Sequence, residues 1–114
     1  MVYETVDLDI VFHALANDTR RKMLGRLASG TLTVGQLAEP LTMSLAAAAK
    51  HLQVLEKAGL IHRTVEGRRH ICRLEPITLS SASGWLRSYE RIQDERPEAP
   101  RAAPRADSIT EEED

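Results

Sequence analysis

The sequence predicts a mostly α fold with one small β-hairpin, and three observations carry that expectation. Aromatic residues are scarce, with one Trp, two Tyr and one Phe in 114 residues, so the core must come from Leu, Ile, Val and Ala, which suits packed helices. Apolar residues recur at helical spacing through most of the chain. Between about residues 60 and 74 the pattern switches once to two short strand-like runs around a glycine turn. The length is one domain's worth, with a core adequate for independent folding.

Each element has its own local signal. Residues 8–16, Leu8 to Ala16, read as a first helix, and Asn17-Asp18-Thr19 then supplies polar cap candidates. From Arg20 to Ala28 the apolar residues Met23, Leu24, Leu27 and Ala28 fall at i, i+1, i+4 and i+5. Gly30 is a stop signal after them. Thr33 is placed to cap a short third helix, Val34 to Ala38, which Pro40 ends or closely follows. After Leu41-Thr42-Met43, Ser44 is a good N-cap for a fourth helix running to about Ala58, with Gly59 stopping it. Leu45, Ala48, Leu52 and Leu55 line one face of that helix at i, i+3, i+7 and i+10 and are expected to pack on the body. Leu60–Val65 and His70–Leu74 read as two strands joined by Glu66-Gly67-Arg68-Arg69, in which Gly67 can take positive φ. Pro76 opens a long last helix reaching about Arg96, with Ala82, Trp85, Leu86, Tyr89 and Ile92 along one side. The order helix, helix, helix, helix, hairpin, helix, with a short helix and tight turn before the fourth, is that of a winged helix-turn-helix.

The formal net charge of −2 hides an uneven distribution. From Pro97 onward there are six acids (Glu98, Asp107, Glu111, Glu112, Glu113, Asp114) and two bases (Arg101, Arg105), which leaves thirteen bases and eleven acids in residues 1–96. Residues 1–96 are therefore expected to form the folded domain, and 97–114, rich in Pro, Ala and acids, a disordered acidic tail. Within the body, Lys50 to Arg73 holds six bases (Lys50, Lys57, Arg63, Arg68, Arg69, Arg73) against Glu56 and Glu66. A basic stripe on a near-neutral body is an electrostatic footprint for a polyanion.

The fourth helix gives that footprint a form. Opposite its apolar stripe stand Ala46, Ala47, Ala49, Lys50 and Gln53. Small side chains let a helix backbone approach the floor of a major groove. There, Ala methyls can touch a thymine methyl, Gln can read adenine, and Lys can reach guanine or phosphate. The hairpin turn carries Arg68 and Arg69, flanked by Arg63, His70 and Arg73, and can straddle a minor groove or its phosphates. Double-stranded DNA is the expected partner. Lys50 and Gln53 are candidates for base edges, with Ser44, Ala46, Ala47 and Ala49 lining the groove, and His51, Arg68 and Arg69 candidates for phosphate or minor-groove contacts. The apolar side of the last helix exceeds what a minimal body can cover. Trp85, Leu86, Tyr89, Ile92 and Ala82 are therefore expected to pair with a second copy, together with Ile10, Val11 and Ala14 of the first helix.

On these residues the chain resembles the arsenic-repressor (ArsR) family of regulators. The resemblance lies in Phe12-His13-Ala14-Leu15-Ala16-Asn17-Asp18-Thr19-Arg20-Arg21, in Met43-Ser44-Leu45, in Lys50 to Ile61, and in the wing sequence Glu66-Gly67-Arg68-Arg69, and it spans residues 8–92. It implies a homodimeric transcription factor, usually a repressor, whose first and last helices form the dimer interface. The chain departs from the family where Pro, Val and Ser often stand and it has Ala46, Ala48 and Ala49, and where an aromatic is common and it has Cys72. It also lacks the thiol pair that metal-sensing members carry on the third helix, and its last helix has no His.

Other chemistry is weakly represented. A closed zinc site needs about four converging ligands, and the candidates are only His13, His51, His62, His70 and Cys72. A metal- or redox-responsive repressor using Cys72 and the nearby histidines, and a winged-helix protein–protein module, are the alternative readings. No cofactor and no small-molecule ligand is implied, and no phosphate loop or nucleophile motif suggests an enzyme. The single cysteine permits no internal disulfide, and the opening Met1-Val2-Tyr3-Glu4 lacks the basic-then-apolar pattern of a secretory signal. No apolar run is long enough to span a membrane, so a cytoplasmic setting is the simplest expectation.

Overall fold

The computed structural model describes residues 6–95, with side chains described through residue 90. The elements run α1 (Leu8–Leu15), α2 (Asp18–Leu27), β1 (Leu32–Thr33), α3 (Val34–Ala38), a 3-10 turn (Glu39–Leu41), α4 (Leu45–Lys57), β2 (Ile61–Glu66), β3 (Arg69–Leu74) and α5 (Pro76–Glu95). Two compact units divide between Ser83 and Gly84, within α5. The expected acidic tail, 97–114, lies outside the described residues, as does the side chain of Ile92.

Side-chain caps set where the helices begin. Asp7 caps α1, its Oδ1 accepting from the Asp9 and Ile10 amides at 3.0 and 3.3 Å. Asn17 Oδ1 accepts from the Arg20 amide at 3.0 Å. The second helix therefore starts at Asp18 and not at Arg20, because a cap at 17 leaves 18 and 19 in the first turn. There Asp18 faces the positive helix end and pairs with Lys22 one turn on, at 3.0 Å. Thr33 and Gln36 form a reciprocal capping box, Gln36 N donating to Thr33 Oγ1 at 3.1 Å and Thr33 N to Gln36 Oε1 at 2.8 Å. That box stabilises the start of a helix only five residues long.

The sheet has three antiparallel strands in the order β1-β3-β2. The hairpin pairs Ile61 with Leu74 through to Glu66 with Arg69, so its turn is only Gly67-Arg68, tighter than the four-residue turn expected from sequence. Gly67 sits at φ +65 and Arg68 does not share the left-handed region, the pattern of a II′ turn. Leu32 and Thr33 add an unanticipated edge strand opposite Cys72 and Ile71.

Leu60, expected to open the first strand, instead closes α4. Its amide donates to Leu55 O at 3.0 Å while the Gly59 amide donates to Glu56 O at 3.0 Å, with Gly59 at φ +77. These are the two bonds of a Schellman termination, and its usual apolar contact is available because Leu55 and Leu60 are both fully buried. A Cβ at Gly59 would also crowd Thr78 Oγ1, at 3.3 Å. Thr78 donates to Gly59 O, which joins the start of α5 to this corner.

The core gathers Val11, Ala14, Met23, Leu24, Leu27, Leu37, Ala48, Leu52, Leu55, Leu60, Ile61, Cys72 and Ala82. Two expectations are corrected here. Leu45 does not pack on the body. It is 61% exposed in the first turn of α4. Val11 and Ala14 are fully buried and Ala82 nearly so, within the chain's own core, so these three are not surface residues open to a second copy. No helix among the described residues is long and apolar enough to cross a membrane.

Leu60→Ala removes a fully buried side chain at a helix termination. It is expected to lower unfolding stability by about 2–5 kcal/mol in urea titration. A loss under about 1 kcal/mol would show that the α4 corner does not depend on this contact.

Candidate nucleic-acid interface

The site is built on α3, the 3-10 turn, α4 and the β2–β3 hairpin. Pro40 lies in the first turn of the 3-10 segment, and Thr42 follows in the left-handed region at φ 48, turning the chain sharply toward Ser44. Ser44 Oγ accepts from the Ala47 amide at 3.1 Å, so its oxygen is committed to the cap while its hydroxyl hydrogen can still donate.

Burial of Ala48, Leu52 and Leu55 determines what the rest of α4 presents. Ala46, Lys50 and Gln53 are exposed, and Ala47, Ala49 and His51 are half-buried at the flanks. The helix thus shows one long cation, one amide and a run of methyl-sized side chains along about two turns. His51 is held from below by Arg20, whose Nη1 lies 3.4 Å from its Nδ1.

Arg68 and Arg69 are exposed at the hairpin turn, as the sequence indicated. From the sequence Arg63 and His70 are only flanking charge, whereas the structure brings both to the site. A cleft of about 480 Å³ lies between α4 and the wing, with Val34, Leu45 and Ala49 on one side and Arg63, Arg68, Arg69 and His70 on the other. Leu45, displaced from the core stripe, supplies part of its apolar wall. Arg63 is oriented by two neighbours, Glu56 Oε1 at 3.1 Å and His70 Nδ1 at 3.3 Å. The Arg63–Glu56 pair is partly exposed and is worth at most about 1 kcal/mol, so it steers the side chain more than it stabilises the fold.

Among the described residues no three His, Cys, Asp or Glu side chains converge where a metal ion could be held. His62 is paired with Glu75, Nε2 to Oε1 at 2.9 Å, in a separate cleft that Asp7 and Lys57 also line. Cys72 is fully buried on the central strand. Burial pushes its thiol above the ordinary value of 9.0, the Arg63 charge opposing that rise and the Glu56 charge adding to it.

A short helix, a tight left-handed connection, a second helix and a basic β-hairpin, in this order, define a winged helix-turn-helix. A family model described as a helix-turn-helix domain matches residues 15–64. The HTH-type transcriptional regulator Rv2034 of Mycobacterium tuberculosis is 41% identical over 73 residues, covering 64% of this chain and 68% of that protein. The transcriptional repressor SdpR of Bacillus subtilis is 30% identical over 79 residues, covering 69% of this chain and 88% of that protein. Among solved structures, an ArsR family transcriptional regulator is 37% identical with a TM-score of 0.72, over 78% of this chain and 92% of the other. A homodimeric winged helix-turn-helix DNA-binding domain from Mycobacterium bovis, a possible ArsR-family regulator, is 30% identical with a TM-score of 0.60, over 78% and 84% of the two chains. The chain belongs to the ArsR family of helix-turn-helix transcriptional regulators.

The Cys72 geometry makes a chemical prediction. A raised thiol pKa means that the folded state binds this proton more tightly than the unfolded chain does. The linked stability is complete below about pH 9 and declines as pH rises above it. At neutral pH, Cys72 of the native chain is expected to react with a thiol reagent no faster than the chain unfolds. Rapid modification of folded protein would contradict the burial and reopen the redox alternative.

Proposed function

We propose that the chain is a homodimeric repressor that reads an imperfect inverted repeat in duplex DNA. The observation that carries this reading is the outward face of α4 lying beside a basic wing cleft. Lys50 and Gln53 are assigned to base edges. Ser44, Ala46, Ala47 and Ala49 line the approach to the groove, their small size allowing the helix backbone close access. His51, Arg68 and Arg69 are assigned to phosphate or minor-groove contacts. On the outward face only Lys50 and Gln53 are assigned to base edges. DNA shape and apolar contact to thymine methyls therefore supply part of the specificity.

The dimer rests on a separate support. Ile10 of α1 is 45% exposed, and Trp85, Leu86 and Tyr89 of α5 are 45%, 48% and 57% exposed. The Trp85 and Tyr89 rings meet edge to face at 5.1 Å, forming a preassembled aromatic step on the helix. Apolar surface of this kind favours burial against a partner. The homodimeric relative from M. bovis supports a second copy as that partner. Two-fold pairing would set the two reading helices about 34 Å apart, one turn of DNA. The repressor direction follows the name of the B. subtilis relative.

Selection from random duplex DNA, followed by titration of the recovered site, tests this reading. A symmetric site is expected, with affinity falling as salt rises because phosphate contacts release counterions. Replacing Arg68 and Arg69 together by Ala should lower the salt slope by about two, roughly one per phosphate contact, with similar weakening on all sequences. An unchanged slope would remove the wing from the interface. Leu86→Glu with Tyr89→Glu is expected to give a monomer in sedimentation that binds the full site no more tightly than a single half-site. A double variant that stays dimeric would exclude this face as the interface.

A further inference from the structure

Arg20 is the only charged side chain among the described residues that is buried, at 9% exposure. A buried guanidinium is costly unless its N–H groups find acceptors. No carboxylate among the described residues lies within ion-pair distance of it. Its acceptors are of two kinds. Nε donates to Ala14 O at 2.7 Å and Nη2 to His13 O at 3.1 Å, both at the C-terminal end of α1, where the helix dipole is negative. The third contact reaches across the fold to α4, where Nη1 lies 3.4 Å from His51 Nδ1.

This third contact has one chemical direction. A guanidinium has only donors, so Nδ1 must be the lone-pair nitrogen, and the ring's N–H is then Nε2–H. We propose that Arg20 is a positioning residue for DNA recognition: it fixes the orientation and tautomer of His51, so that the ring offers Nε2–H to a backbone phosphate. The proposal rests on the assignment of His51 to a phosphate contact. It adds a residue that touches no DNA yet decides which hydrogen-bonding group α4 presents. Lysine cannot replace arginine here, because a single ammonium cannot serve two α1 carbonyls and the imidazole in one planar fork. The same guanidinium joins α1, α2 and α4.

Two measurements test it. Nitrogen-detected NMR of the His51 ring in the free full-length chain should show the Nε2–H tautomer, and an Nδ1–H ring would overturn the proposal. In duplex titrations, Arg20→Lys is expected to weaken binding about fivefold, the size of one hydrogen bond. The same substitution should have no further effect when His51 is already Ala. Additive losses in the double variant would overturn the proposal. Should Arg20→Lys fail to fold, His51 substitutions carry the test. His51→Gln places an amide N–H near the Nε2 position and should bind within about twofold of wild type, whereas His51→Asn mimics only Nδ1 and should lose about fivefold or more. The reverse order would overturn it. A wild-type chain that binds no selected duplex would instead defeat the underlying assignment. The ring NMR tells the two failures apart, because it reports the Arg20–His51 bond without DNA.

Discussion

The orientation of α4 depends on one stripe of side chains. Ala48, Leu52 and Leu55 are buried, and the two leucines alone contribute about 1.5–3 kcal/mol each by leaving water. Rotating the helix about its axis would expose them, so their burial decides that Ala46, Lys50 and Gln53 face outward. The Schellman closure at Gly59 and Leu60 fixes the far end of the same helix, and the Ser44 cap fixes the near end. With both ends and one face held, the outward face is a surface defined to within the freedom of its own side chains.

Electrostatics then complement shape. The whole chain is slightly acidic, yet Arg63, Arg68, Arg69 and His70 of the wing are collected around one cleft beside α4. Arg63 is held there by Glu56 and His70, whereas Arg68 and Arg69 form no ion pair with another described residue at the exposed tip. The inner cation is therefore oriented by neighbours and the outer two are exposed donors, a division suited to one set phosphate contact near the helix and others further out. Leu45 and Val34 give the cleft an apolar wall on which a sugar ring can rest.

Much of this was legible locally. Ser44, Gly59, Gly67 and the Leu52–Leu55 spacing are signals read within a few residues, and they located α4 and the hairpin. What escaped was set by partners distant in sequence. Leu45 continues the apolar period of α4, but it lies beside the wing cleft with Val34 and stays 61% exposed. Val11 and Ala14 lie on the same kind of stripe as Ile10, and only packing against the body separates core from surface. The two-residue β1 is too short to show a period, and it exists because β3 offers Cys72 and Ile71 as partners. The Asn17 cap was among the expected candidates, yet the helix start moved because any of three adjacent polar residues could have served. Arg63 and Arg20 were visible as charges, but their roles come from contacts with Glu56 and His51, which no spacing rule reveals.

The central claim is that the face opposite the Ala48–Leu52–Leu55 stripe, with the wing tip, meets duplex DNA. Titration of isotope-labelled protein with a selected duplex, followed by amide NMR, tests it most directly. The largest shifts are expected at Ser44 to Gln53 and Glu66 to His70, with little change at buried β3 positions such as Cys72. Shifts concentrated instead along Pro76 to Glu90, with α4 and the wing unchanged, would contradict it.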